Sequence, residues 1–227
     1  LFASALLHAQ VPKHALLRVF QIRVPGASAS SFTIDHKGKQ YLVTARHVVN
    51  GLPGKGADVE IRRSGRWEKL KVDILLPANP SVDIAVLVIP APLSTEPDLP
   101  ADPSKLYLGQ DAYFLGFPRE IFTRAGGDAV PFIKRATISA NDVSTSTARI
   151  WYFDGFNNPG FSGGPIVYQS VDDKQWRIAA VVRGYLTDTA KQNVGGKLVD
   201  SSVLMNSGII VAYDIRHAVE AINAVVK

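Results

Sequence analysis

A serine that acts as a nucleophile must be approachable, and Ser162 lies in the stretch Asn157-Asn158-Pro159-Gly160-Phe161-Ser162-Gly163-Gly164-Pro165. Ordering three glycines around one hydroxyl loses more backbone entropy than ordering other residues would. The arrangement suits an electrophile approaching Ser162 Oγ while backbone N–H groups, clear of side chains, face the oxygen that becomes negative. A glycine-rich turn leading into the apolar run Ile166-Val167-Tyr168 is the plainer reading of the same residues. What decides between them is whether the chain supplies a base. A serine hydroxyl is a weak nucleophile near neutral pH and needs one to take its proton.

Five histidines are available, His8, His14, His36, His47 and His217. Four fall in the N-terminal segment, at a polar hairpin tip or in a C-terminal helical stretch. His47 instead follows the apolar run Tyr41-Leu42-Val43-Thr44 and the small Ala45, where a strand ends and a short helical turn begins. A histidine acting as base needs an acceptor to fix its tautomer and stabilise the imidazolium. Asp83 heads Asp83-Ile84-Ala85-Val86-Leu87-Val88-Ile89, a carboxylate at the mouth of a buried-looking strand. Asp73 and Asp154 are the alternatives, and neither opens so apolar a run.

Strands must carry these groups. Leu17–Val24, Ser31–Ile34, Gln40–Thr44, Leu70–Leu76 and Ile84–Ile89 read as strands, with Asp35–Lys39 as a hairpin connection. Five prolines follow, Pro90, Pro92, Pro97, Pro100 and Pro103; lacking a ladder donor, they mark a connector between two halves. Ala112–Pro118, Phe132–Ile138, Ala148–Phe153, Pro165–Tyr168, Ile178–Arg183 and Ile209–Tyr213 continue the strand pattern. Asp214 suits a helix N-cap, and Ile215, Ala218, Val219, Ile222, Val225 and Val226 share one helical face. The expected fold is all-β, two barrel-like halves with a C-terminal helix. The division reads as an N-terminal segment 1–14, a first lobe 15–95 with His47 and Asp83, a second lobe 96–213 with Ser162, and a helix 214–227.

Composition excludes several functions. The chain has no cysteine, so disulfides and thiolate metal sites are ruled out. Histidines and carboxylates show no ligand spacing and no phosphate-cradling loop occurs, so no metal or cofactor is expected. The net charge of +5 is mild, and the basic stretch Arg62–Lys71 reads as a solvated hairpin around Ser64-Gly65, without the aromatic interleaving of a nucleic-acid platform. No apolar run reaches transmembrane length. Leu1–Gln10 reads either as the tail of an export leader, which points to a periplasmic or secreted protein, or as a short amphipathic helix.

Taken together, Thr44-Ala45-Arg46-His47-Val48-Val49, Asp83-Ile84-Ala85-Val86-Leu87 and Gly160-Phe161-Ser162-Gly163-Gly164-Pro165, in that order, resemble the motifs of the trypsin-like (chymotrypsin-fold) serine peptidases. The lead-in from Asp154 through Asn158-Pro159-Gly160, Tyr113–Pro118, Arg135–Ala140 and Gly208–Ala212 is similar to bacterial HtrA-like members, here without their PDZ module. The resemblance implies two six-stranded barrels and a serine endopeptidase acting on polypeptides. Ser162 would be the nucleophile, His47 the base and Asp83 its orienting acid. The N–H groups of Gly160 and Ser162 would form the oxyanion hole. Val182, Arg183 and Gly184 would form the strand edge that pairs with an extended substrate. Phe156 would floor the primary specificity pocket and favour an apolar or small side chain over Lys or Arg.

Two residues depart from the family pattern. Phe161 stands where an Asp or Asn is usual, so it cannot make the polar contact that couples a newly cut N-terminus to the oxyanion loop. Burial of its ring would anchor the loop instead, or leave it misformed. Arg46 stands where a small or amide residue is common. These departures leave a rival reading, a protease-fold protein that binds extended peptides with little or no catalysis. An α/β-hydrolase esterase would need the order Ser, acid, His, and that order is not present.

Overall fold

Between Ala57 and Arg63 every second residue, Ala57, Val59 and Ile61, is buried, the period-two signature of a strand with one wet face. The same logic builds the first half of the computed structural model, which describes residues 10–125, 127–142 and 148–226. Strands β1 (Val19–Val24), β2 (Ala27–His36), β3 (Lys39–Thr44), β4 (Ala57–Arg63), β5 (Arg66–Leu75) and β6 (Ala85–Val88) close into a barrel in the order β1-β2-β3-β6-β5-β4. Two of its hairpins turn on residue pairs with positive φ, Lys37-Gly38 at 48° and 75° and Ser64-Gly65 at 45° and 74°. That geometry matches the right-handed twist of the flanking strands.

The second half gives β7 (Asp111–Gly116), a separate hairpin of β8 (Thr123–Ala125) and β9 (Asp128–Val130), then β10 (Phe132–Asp142), β11 (Ile150–Asp154), β12 (Pro165–Gln169), β13 (Trp176–Val194) and β14 (Lys197–Asp214). All but the small hairpin close into a second barrel, in the order β10-β11-β14-β13-β12-β7. The proline connector runs beside β13: Ile178 N–H donates to Pro100 O at 2.9 Å and Asp102 N–H to Ile178 O at 3.1 Å. Between the barrels lies a shared apolar core. Ile34, Tyr41 and Val86 come from the first barrel, Tyr113, Leu115 and Val181 from the second. Removing such surface from water, at about 25 cal/mol per Å², holds the two faces together and fixes the cleft along their seam.

The chain ends in α2 (Arg216–Asn223), whose Ile215, Ala218 and Ile222 join that core. Ile215, not Asp214, occupies the cap position, although Asp214 Oδ1 still accepts the Arg216 N–H at 2.9 Å. Val225 lies past the helix and is exposed. Toward the N-terminus, α1 is one turn (Lys13–Leu16). The leader reading concerns residues that, up to position 9, lie outside the described ones.

The strands expected at Ile178–Arg183 and Ile209–Tyr213 are far longer than their apolar cores. Beyond Tyr185 they leave the barrel as a two-stranded arm, paired from Thr187 with Asn206 out to Val194 with Lys197. An arm whose described side chains are mostly exposed on both faces has no need of apolar alternation, so its sequence carries no strand pattern. Leu204, 71% exposed, is among its apolar residues.

Candidate active site

β3 ends at Thr44, and a 3-10 turn, Arg46–Val48, carries His47 to the barrel rim while Ala45, Val48 and Val49 bury beneath it. Asp83 precedes β6 between the fully buried Val82 and Ile84. Its two oxygens divide between side chain and backbone of one residue: Oδ2 lies 2.6 Å from His47 Nδ1, and Oδ1 accepts the His47 N–H at 2.8 Å. A carboxylate only accepts, so Nδ1 carries a proton, and in the neutral ring Nε2 is the basic nitrogen. Of the other two carboxylates considered, Asp73 accepts the Gly56 N–H at 2.9 Å, and Asp154 ends β11 on the surface.

The serine loop is held chiefly by backbone. Ser30, fully buried on β2, is its hub. Ser30 N–H donates to Ser162 O at 2.9 Å. Its hydroxyl donates to Gly160 O at 2.7 Å and accepts the Phe117 N–H at 3.0 Å. Thr44 Oγ1 donates to Ser30 O at 2.8 Å, which ties the strand leading to His47 into the same network. Gly163 sits at φ +80°, and a Cβ there would lie 2.3 Å from Ser30 O. Gly160, at φ +105°, would bring a Cβ to 2.4 Å from Phe117 O. The glycine at 160 is therefore required by backbone packing in the resting protein, before any intermediate forms.

Phe161 is fully buried, its ring edge-on to Phe114 with centroids 4.8 Å apart. The ring joins the core of the second barrel, so burial holds the loop at this residue. Arg119 N–H donates to Pro159 O at 3.0 Å, and a planar trans peptide then turns the Gly160 N–H to the opposite side. Among the described residues, neither the Gly160 nor the Ser162 N–H has an intramolecular acceptor.

Ser162 Oγ donates to Arg183 O at 3.0 Å; among the described residues it makes no hydrogen bond to His47. A cleft of about 470 Å³ opens beside this group, lined by Arg46, His47 and Asp83 on one side and by Arg183, Gly184, Tyr185 and Tyr213 on the other. Arg46 Nη1 reaches Pro80 O at 3.2 Å across its rim. Val182 is buried and uses both backbone groups on the serine loop, its carbonyl accepting from Gly163 N–H at 2.8 Å and its N–H donating to Gly164 O at 2.9 Å. Phe156 is 57% exposed at the other end of the loop. Its carbonyl accepts a hydrogen bond from Lys134 on β10, and burial pulls the Lys134 ammonium below its ordinary pKa. No group of metal-binding side chains occurs among the described residues.

Two closed six-stranded barrels, a histidine–carboxylate pair on the rim of one and a Gly-Phe-Ser-Gly-Gly loop on the other define the chymotrypsin-like class of serine peptidase. The chain belongs to the trypsin-like peptidase domain family, whose model matches residues 29–181, and is a serine endopeptidase by class. Solved structures share the fold. The inactive form of the Rv3671c protease aligns with a TM-score of 0.59 at 17% identity, covering 94% of this chain and 91% of that one. Its inactive serine-to-alanine variant, from M. tuberculosis H37Rv, gives 0.61 at 17%, covering 97% and 92%. The HtrA-type protease AlgW with tripeptide gives 0.61 at 20%, covering all of this chain and 64% of that one. No curated protein matches the sequence significantly.

Sequence reasoning missed Ser30, Arg119 and Lys134. Ser30 had a faint signal, a polar residue within the run Ser28–Ser31 that precedes the apolar Phe32-Thr33-Ile34. Arg119 works through its backbone N–H, which any residue but proline supplies.

Proposed function

We propose that this peptidase cleaves polypeptides through Ser162, His47 and Asp83 by way of an acyl-enzyme. The observation that carries the reading is the pair of Asp83 bonds to His47, 2.6 and 2.8 Å, on a cleft whose far wall is Arg183-Gly184. An extended substrate pairs with the strand edge at Arg183-Gly184, not at the expected Val182, whose N–H and carbonyl are both spent on the serine loop; the N–H before the scissile bond takes the Arg183 carbonyl. That carbonyl is the acceptor Ser162 Oγ uses at rest, so substrate arrival frees the hydroxyl. Rotation of a part-exposed serine side chain toward His47 takes picoseconds to nanoseconds and adds no slow step.

Ser162 Oγ then attacks the scissile carbonyl carbon as His47 Nε2 takes its proton, and Asp83 stabilises the imidazolium. The carbonyl oxygen becomes an oxyanion facing the Gly160 and Ser162 N–H groups, each donor contributing about 2.7–4 kcal/mol to the transition state. Collapse breaks the C–N bond, and His47 passes its proton to the leaving amine. Water, deprotonated by His47, hydrolyses the ester and restores Ser162. The exposed Phe156 ring at the end of the loop favours an apolar or small side chain in the primary pocket.

One observation favours a second reading, a peptide-binding protein with little turnover: the Ser162–Arg183 hydrogen bond occupies the nucleophile. Internally quenched peptides separate the two. The catalytic reading expects cleavage after Leu, Ala or Val in preference to Lys, abolished in Ser162→Ala. The binding reading expects raised anisotropy of the same peptides with no product, unchanged in Ser162→Ala.

A further inference from the structure

Among the described residues, Lys134 is a cation without a counter-ion. It lies part-buried on β10, opposite Phe114 of β7, and among the described residues no carboxylate forms an ion pair with it. Instead its ammonium donates to two groups of the serine loop, the Phe156 carbonyl and, at 3.0 Å, Asn158 Oδ1. Three aromatic rings surround it: Phe156 at 5.4 Å from Nζ to centroid, Phe114 at 5.8 Å and Phe161 at 5.9 Å. Burying an ammonium costs free energy unless its hydrogen bonds and charge are met, and here loop groups and ring faces meet them. The loop is thereby held at both ends of its turn, at Phe156 and Asn158 by hydrogen bonds and at Phe161 by the ring.

We infer that Lys134 is a positioning residue that holds the loop from Phe156 to Ser162, and with it the Gly160 and Ser162 N–H groups, in the geometry that catalysis requires. The inference rests on the peptidase reading only for its kinetic consequence; the effect on the loop stands apart from it. Desolvation lowers the pKa of Lys134, and among the described residues no acid faces it to restore the charge, so the clamp loosens at a lower pH than an exposed lysine would titrate.

The test is Lys134→Met, which keeps the stem and removes the charge and donors, followed by amide hydrogen exchange over residues 155–164 and by kinetics on a quenched peptide. Exchange in the loop should accelerate tenfold or more while amides of β3 and β6 keep their protection. The kinetic parameter kcat should fall at least tenfold with KM changed less than threefold, and the wild-type alkaline loss of kcat should be missing from the variant. Unchanged loop exchange together with unchanged kcat in folded Lys134→Met overturns the inference. If the wild-type protein cleaves nothing but loop exchange still responds, the peptidase reading fails and the positioning role stands. Accelerated exchange spread evenly through both barrels would reduce Lys134 to a general stabiliser and also overturns it.

Discussion

The two barrels build their shares of the site by different means. The first presents side chains: His47 and Asp83 meet through two hydrogen bonds, and each is placed by a short segment with buried apolar neighbours. The second presents backbone. Ser162 sits in a loop fixed by the carbonyls of Gly160, Ser162 and Pro159, by the N–H groups of Arg119 and Gly163, and by glycines that leave no room for a Cβ. A side-chain device fails chemically when a functional group changes and leaves the fold intact. A backbone device fails sterically, and takes local structure with it.

Asp83→Asn breaks the first device most cleanly. The amide keeps the shape but can hold His47 in the wrong tautomer, so kcat should fall by about 10⁴ while the melting temperature stays within a few degrees. Steady-state kinetics beside a thermal melt check both halves of that expectation. An equal collapse of stability would make Asp83 structural and blur the contrast.

Gly163→Ala should show the opposite signature. Its φ of +80° and the 2.3 Å approach to Ser30 O leave the methyl nowhere to go. Denaturant unfolding should report a loss of about 3 kcal/mol or more, with activity lost as a consequence. A folded Gly163→Ala protein of normal stability would show that the backbone device has slack.

Asp98→Asn is the control remote from both. Arg18, 2% exposed, lies 2.7 Å from Asp35 Oδ1 and 3.3 Å from Asp98 Oδ1, but only the Asp35 contact has hydrogen-bond geometry. Burial outweighs the nearby Arg18 charge and lifts the Asp98 carboxyl to about 6. A raised carboxylate pKa means the folded state holds the proton longer, so stability falls as pH climbs from about 4 to 6 and stays lower above. Asp98→Asn should therefore add about 1–2 kcal/mol at pH 7 and almost nothing at pH 4, with peptidase activity unchanged. Urea midpoints at the two pH values measure it.

The same contrast explains what the sequence made legible. His47 and Asp83 stood out because a polar group beside an apolar run is visible in one dimension, and the strand pattern that gave the barrels rests on the same kind of signal. Ser162 was legible through its glycines. What fixes the loop was not: Ser30 and Thr44 act from the other barrel, and Arg119 acts through a main-chain N–H. Lys134 looked like one more lysine in a strand, because only the folded β10–β7 pairing brings it over Phe114 and Phe161. The arm beyond Tyr185 escaped for a simpler reason, since a ladder whose described side chains are mostly exposed on both faces leaves no periodicity to read.

The central claim is that hydroxyl, imidazole and carboxylate act as one unit once the Arg183 carbonyl is released. Fluorophosphonate labelling followed by peptide mass spectrometry tests it without knowledge of the natural substrate. The account predicts a stoichiometric adduct on Ser162, formed at least 10³-fold more slowly in His47→Ala. An unlabelled Ser162 across the whole pH range in which the protein stays folded, or equal rates in wild type and His47→Ala, would contradict it.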